Sequence, residues 1–281
     1  MLERSPSLFS LVRIDLHLHS TASDGSLSPS ALAWAARAGG LDVIAIADHD
    51  TTAGIREAMR SNPGNLHIIP AIELSCTHTD REVHILGYFI NPDHPDLVAY
   101  AFSAASRRTE RMQQMIAKLA DMRINVTLDE VVAAAEDGTH VLGRPHLARA
   151  LAKRGLVQSV SEAFDRFIGD QGPAFVPTRL LDPCEAIKLI HTVGGIAVWA
   201  HPRPDVFQRD ADSFVSWGLD GVECYRPRAT PAEITQFEDY ARRNGLLLSG
   251  GSDWHGIWQG RLGDFSVSAT EVGGLLERGG I

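Results

Sequence analysis

Short apolar runs alternate with amphipathic stretches along most of the chain, and the length and period of each run decide its element. Leu11–Leu16, Val43–Ala47, His67–Ile72 and Val83–Ile90 are too short for buried helices and read as strands. Between the first two, Ser28 offers a side-chain cap and Pro29 a preset φ. A helix therefore starts there and continues through Ala31–Ala38 until Gly39-Gly40 stops it. A second helix is predicted over Thr52–Arg60. From about Asp96 the pattern changes to a long charged helix through residues 106–121, followed by shorter helical stretches to about Gly169 with no strong strand among them. Pro173–Arg179 carries the chain back to renewed alternation: helix Pro183–Thr192, strands Ile196–Ala200 and Gly221–Tyr225, helix Pro231–Asn244 and strand Leu246–Ser249. Alternating strands and helices predict an α/β fold with a parallel sheet. The simplest arrangement is a parallel barrel whose first part spans 11–100 and whose second spans 180–281, interrupted by a helical insertion subdomain at 101–179.

Composition narrows the partners. The 281 residues carry 26 Lys and Arg against 35 Asp and Glu, a formal charge of −9. An acid excess argues against duplex nucleic acid, which needs a cationic face to neutralise phosphates, but leaves a small phosphorylated ligand open. Cys76, Cys184 and Cys224 lie far apart with no CxxC pair, so neither a zinc ribbon nor a disulfide framework is indicated. No stretch approaches the length of a membrane span, and Met1–Ser10 is too short in apolar residues for a signal peptide. The expectation is a soluble cytoplasmic protein without membrane partners.

The chemistry is concentrated in the histidines. His17 and His19 stand two apart at the end of a strand, so both side chains project to one face, as two ligands of one ion require. Twelve histidines in 281 residues yield roughly 0.5 such pairs by chance, so the pair alone decides little. The strand ends that follow add to it: Asp24 in the loop after His19, His49 after Val43–Ala47, Glu73 after His67–Ile72, His84 opening the next strand, His201 after Ile196–Ala200, and Asp253 with His255 after Leu246–Ser249. In a parallel barrel the carboxyl ends of the strands share one rim, so these groups would converge. Six imidazoles and three carboxylates exceed the needs of one ion, and a nitrogen and oxygen donor set without thiolate suits two or three divalent ions of Mn, Fe or Zn.

These residues carry a resemblance. Asp15-Leu16-His17-Leu18-His19-Ser20, Ser23-Asp24-Gly25, Ala47-Asp48-His49-Asp50, Ile72-Glu73-Leu74-Ser75, His84-Ile85-Leu86-Gly87-Tyr88, Ala200-His201-Pro202 and Gly251-Ser252-Asp253-Trp254-His255-Gly256, in this order over almost the whole chain, resemble the PHP (polymerase and histidinol phosphatase) family. The resemblance implies a distorted β/α barrel of about seven units. It also implies a trinuclear metal centre held by His17, His19, Asp24, His49, Glu73, His84, His201, Asp253 and His255, with manganese the first expectation. Ala47 and Trp199 depart from the more usual Thr and Leu, and neither is a ligand position.

Gly143-Arg144-Pro145-His146, with Arg107-Arg108 upstream, is similar to the branch containing 3′,5′-nucleoside bisphosphate phosphatases and short-RNA 5′ exonucleases. The implied reaction is attack on phosphorus by metal-activated hydroxide, releasing the 3′-phosphate of a nucleoside 3′,5′-bisphosphate and leaving the 5′-monophosphate. Arg144 supplies a planar fork for the second phosphate, His146 a further donor, and Arg179 a weaker contact. Three alternatives stand beside it: a 5′–3′ exoribonuclease on short single-stranded 5′-phosphorylated RNA, a phosphomonoesterase like histidinol phosphatase, and a catalytically silent PHP module that binds a partner. A monomer or weak oligomer is expected. Asp15 and Asp48 read as groups that orient or hydrogen-bond rather than ligate. Arg107, Arg108 and Arg111 read as a solvated helix face, and Trp254 and Trp258 as packing at the barrel mouth.

Overall fold

The computed structural model of the chain describes residues 12–79, 81–135, 139–178 and 181–281. Among them the order begins β1 (Ile14–Leu18), α1 (Pro29–Ala38), β2 (Val43–Ile46), α2 (Ile55–Arg60), β3 (His67–His78) and β4 (Arg81–Tyr88). Four helices follow: α3 (Pro95–Asp121), α4 (Leu128–Val132), α5 (Arg144–Lys153) and α6 (Val160–Ala163). The chain then runs through α7 (Pro183–Thr192), β5 (Ile196–Ala200), α8 (Pro204–Ser216), β6 (Gly221–Tyr225), α9 (Pro231–Asn244), β7 (Leu247–Gly250) and α10 (Ala269–Gly279).

The seven strands form one sheet in sequence order. It almost closes: β1 meets the segment after β7 through isolated bridges Leu18↔Trp254 and Ile14↔Val267. The architecture is thus a mixed α/β, nearly closed seven-stranded barrel. The expectation of a wholly parallel sheet needs correction at one strand. β1–β2–β3 and β5–β6–β7 pair in parallel, but β4 is antiparallel to both neighbours. The physical reason is the short connection, since strands joined by a tight turn can only pair antiparallel. The same hairpin extends β3 past its expected end at Ile72, because the register Ser75↔His84 continues out to His78↔Arg81.

Side-chain alternation sorts each strand into an inner and an outer face. Val43, Ala45, Ile69, Ala71, Leu86, Tyr88 and Val198 pack together on the inside with Val272 and Leu275 of α10. The Tyr88 hydroxyl reaches Ser249 across the interior at 3.4 Å. Outside, Ile44 and Ile46 lie against Leu32 and Ala33 of α1, and Ile85 and Trp199 lie under α7 and α8. The inner phase of β3 runs on from Ile69 and Ala71 to Glu73 and Ser75, so the register that builds the floor delivers polar groups to the mouth.

Residues 112–174 bury a separate apolar cluster, with Met112, Met115 and Leu119 of α3 against Leu147 and Leu151 of α5. Several elements exceed the sequence reading. The long helix starts at Pro95, where His94 accepts from the Asp96 amide, and α8 and α10 were not anticipated. β1 sits later than expected, and Leu11 lies outside the described residues. Among the described residues no helix is long and apolar enough to cross a membrane.

Candidate metal centre

The residues of the expected set come from strands and from the loops that follow them, which the sheet directs to one mouth; Glu73 lies within the extended β3 and Asp24 in the loop after β1. β1 carries His17 and His19, with a register shift between Asp15 and Leu18 that turns the strand locally. Gly251 is required where β7 leaves the sheet, since a Cβ there would lie 2.3 Å from the His17 Cβ. His201 and Asp253 follow β5 and β7 with φ of 30° and 53°, unfavourable for side chains and typical of backbone held for a purpose. His84 reaches the same mouth from the start of the reversed β4, opposite Ala200.

Glu73 lies at the centre, fully buried. Its Oε2 is 3.3 Å from His17 Nε2, 3.3 Å from His19 Nε2 and 2.9 Å from His49 Nδ1. Its Oε1 is 2.8 Å from His84 Nδ1 and 2.9 Å from His201 Nε2. Asp253 approaches His19 at 3.1 Å and His17 at 3.4 Å, while Asp24 approaches His255 at 3.3 Å. The structure therefore brings all nine residues together. The donor atoms of eight of them fall into three groups: His19, Asp24, His49 and His255; His17, His19, Glu73 and Asp253; and His49, Glu73 and His84. His201 joins none of these and approaches Glu73 instead. Within each group the donors lie within 4.8 Å of one another.

Many of these close approaches lack hydrogen-bond geometry. His17 Nε2, both nitrogens of His19, Asp24 Oδ1, His49 Nδ1 and Glu73 Oε2 are buried without a hydrogen-bond partner. Buried polar atoms are otherwise almost always paired, and lone pairs aimed at shared points rather than at each other are what a cation requires. The donors fit divalent metal ions. The carboxylates make the site favour positive charge: burial alone would lower the His19 and His84 imidazoles, but Asp253 and Glu73 lift His19 to about 10, and Glu73 and Glu82 lift His84 to about 10, so a bound cation would take the place of these protons. Burial likewise opposes ionisation of Asp24, yet His255, His49 and His19 hold its carboxyl well below the usual range.

A supporting layer fixes the donors. Asp48 accepts from the Ser20 amide at 2.8 Å, the Ser20 hydroxyl at 2.6 Å and the Ser23 hydroxyl at 2.6 Å, which pins the loop bearing Asp24. Asp15, whose carboxyl burial pushes up to about 7, accepts from the His17 and Ser252 amides. It does not orient an imidazole, as its place beside His17 had suggested. That task falls to Glu223, missed by the sequence reading, whose Oε1 lies 2.9 Å from His17 Nδ1 and whose Oε2 accepts from the His201 amide at 2.7 Å. The signal was a lone carboxylate in the otherwise apolar inner phase of β6.

Comparison with known proteins decides the family. The chain is 36% identical over 249 residues to the 5′-3′ exoribonuclease of Haemophilus influenzae, covering 86% of this chain and 90% of the relative. It is 31% identical over 256 residues to the 3′,5′-nucleoside bisphosphate phosphatase of Chromobacterium violaceum, covering 89% and 90%. A solved structure assigned as a metal-dependent phosphoesterase, from Bifidobacterium adolescentis, superposes with a TM-score of 0.80 at 30% identity, covering 92% and 91%. No protein-family model matches the chain. The chain belongs to the PHP family of metal-dependent phosphoesterases. As a PHP protein it is a hydrolase of phosphate esters.

The helical segment of this PHP protein brings cations to one flank of the cluster. Arg144, at the start of α5, contacts Asp170 at 2.6 Å and lies 3.7 Å from Glu82, whose other oxygen is 3.2 Å from His84 Nε2. His146 is buried and accepts from the Gly143 amide through Nδ1 at 2.9 Å, so the neutral ring carries its proton on Nε2, which has no partner. Arg179 lies outside the described residues. Arg108 and Arg111 correct the expectation of a solvated face. Arg108 is 5% exposed and donates to Asp50 at 2.7 Å and to Ser75 at 2.7 Å, while Arg111 donates to the Val176 carbonyl at 2.7 Å. They turn inward because the carboxylates of Asp50 and Glu82 await them under α3. Trp254 packs at 5% exposure, as expected, whereas Trp258 stands 61% exposed at the rim with the Arg149 guanidinium over its ring.

Proposed function

We propose that the chain removes the 3′-phosphate of nucleoside 3′,5′-bisphosphates, leaving nucleoside 5′-monophosphates, with two or three divalent ions, manganese first and Fe or Zn as alternatives, held by the nine gathered residues. The observation that carries this reading is the seat of α5. Gly143, its N-cap, lies so close to the cluster that a Cβ there would be 3.3 Å from Asp24 Oδ2. Arg144 and His146 follow it on a helix N-terminus, whose dipole favours a phosphate, while the Gly143 and His146 amides are bonded within the turn and Pro145 has none.

Ions bound at the three donor groups would polarise the phosphoryl oxygens and acidify a water. The chain's own residues position the rest. The Arg144 fork exchanges Asp170 for the 5′-phosphate, and His146 Nε2–H adds a donor. Holding that second phosphate orients the 3′-ester over Glu73 and Asp24, so that the P–O3′ bond is the one presented for attack. The name of the Chromobacterium relative supports this substrate. The Haemophilus relative favours a second reading, 5′-3′ exonuclease action on short RNA, which breaks the same P–O3′ bond.

We also read 101–179 as an inserted subdomain between barrel parts 11–100 and 180–281, supported by its separate apolar cluster. The free state of Cys76, Cys184 and Cys224 supports a cytoplasmic setting. The test is selective. With manganese present, Arg144→Ala should lower kcat/KM for 3′-phosphoadenosine 5′-phosphate at least tenfold more than for p-nitrophenyl phosphate, the loss of about 1.4 kcal/mol expected of a charge-assisted contact. Equal losses on both substrates would remove Arg144 from substrate selection.

A further inference from the structure

A second approach to the cluster is built from elements that Arg144 and His146 do not touch. A cavity of about 720 Å³ is lined at one end by His201 and Asp253 and continues between the turn after β6 and the loop after β7. None of its lining residues belongs to 101–179. Its volume lies within the range of small-molecule sites, about 300–1,000 Å³.

The outer walls bring three arginines and an exposed indole. Arg226 and Arg228 enter from the β6 turn, and Trp258 and Arg261 from the β7 loop. Arg226 is anchored by donating to the Pro202 carbonyl at 3.0 Å, while Arg228 stands exposed with φ of 69°. Five carboxylates share the lining: Asp253 belongs to the cluster, Asp15 accepts from the Ser252 amide at 2.8 Å, Glu223 holds His17 and the His201 amide, Glu233 accepts from the Thr230 amide at 2.7 Å and Asp264 from the Arg261 amide at 2.7 Å. Trp258 is 61% exposed beside the cluster, with the Arg149 guanidinium of α5 5.7 Å from its ring centroid and most of the indole open. Such rings offer stacking surface to bases of any identity.

A nucleoside 3′,5′-bisphosphate, with one phosphate at Arg144 and the other at the cluster, ends at the cluster and leaves this cavity empty. A phosphodiester carries a second nucleoside on the far side of the same phosphorus. We infer that the cavity between the β6 turn and the β7 loop receives that second nucleoside, and that Trp258 and Arg228 set the preference of the enzyme for 3′-diesters over 3′-monoesters. The inference rests on the nucleotide reading above and deepens it. In both reactions a water oxygen bonds to phosphorus, the P–O3′ bond breaks and O3′ takes up a proton. The monoester gives inorganic phosphate. The diester leaves a new 5′-phosphate on the shortened strand, a group of the kind assigned to Arg144.

The experiment compares two substrates on the full chain with manganese: 3′-phosphoadenosine 5′-phosphate and 5′-phosphorylated diadenylate. Wild type should cleave both. Trp258→Ala and Arg228→Ala should each lower the diester-to-monoester ratio of kcat/KM about tenfold, and Trp258→Phe should restore most of it. A binding readout accompanies it: a diadenylate with the scissile O3′ replaced by CH2 should bind Trp258→Ala about tenfold more weakly by calorimetry. Cleavage of the monoester alone by wild type, or a ratio that moves less than twofold in both alanine variants, overturns the inference while leaving the bisphosphate reading standing. Failure of wild type on both substrates overturns both.

Discussion

Arg108→Met removes a buried guanidinium and keeps most of its stem. Arg108 is 5% exposed and bonds Asp50 through Nε at 2.7 Å, Ser75 Oγ at 2.7 Å and, through Nη1, the Leu142 carbonyl at 3.4 Å. Asp50 is fully buried and would keep only the Tyr100 hydroxyl and the Ser75 amide. Stranding one member of a buried pair typically costs about 3–5 kcal/mol. At about 2–4 °C per kcal/mol for a chain of this size class, the melting temperature should fall by about 10 °C. Arg242→Met is the control: its pair with Asp239 spans 2.8 Å but is 74% and 52% exposed, where such pairs contribute about 0.3–0.5 kcal/mol. Calorimetric melting, with urea midpoints at constant m-value, measures both. Adding Asp50→Asn to Arg108→Met should recover part of the loss, since no unpaired charge then remains. If Arg108→Met melts within 2 °C of the control, roughly 1 kcal/mol or less, the inward guanidinium is wrong.

Two further outcomes are expected. Purified protein should carry more than one equivalent of divalent metal, and Asp253→Asn should reduce metal content, read by emission spectrometry, and phosphatase activity together; full activity in that variant would place the site elsewhere. His146 has a folded pKa pushed down to about 4, chiefly by burial, against the opposing pull of Asp24 and with help from Arg149 and Arg108. Because the unfolded imidazole binds its proton near pH 6.5 and the folded one does not, its contribution is intact above that pH and falls away as pH drops toward 4. The urea midpoint of His146→Gln should therefore depend less on pH in that window than wild type; identical slopes would mean that the ring is not held neutral.

The ligand candidates were legible because strand alternation and strand termination are local properties: His17 and His19 share a face two residues apart, and Glu73, His201 and Asp253 each mark the end of a short apolar run. The reversal of β4 was not legible, since it depends on a turn only a few residues long between two runs that read equally well as parallel strands. Arg108 and Arg111 failed for another reason. They lie on the same helical stripe as Ala104, Met112, Met115 and Leu119, a placement periodicity can show, but a charge on an apolar stripe buries itself only when a carboxylate waits opposite. Asp50 and Glu82 come from distant strands. Glu223 is the same case inside β6.

The inner phase of β3 carries Ile69 and Ala71 low in the barrel and Glu73 at the mouth, so the catalytic apparatus of each newly made molecule depends on one pairing register. A β3 that slipped by one position would turn Glu73 out of the mouth and into the apolar layer where Ile72 and Leu74 pack, burying an unpaired carboxylate. Misregistered chains thus forfeit their stability in the same step that misplaces a donor, so folding itself acts as quality control on the metal-binding geometry.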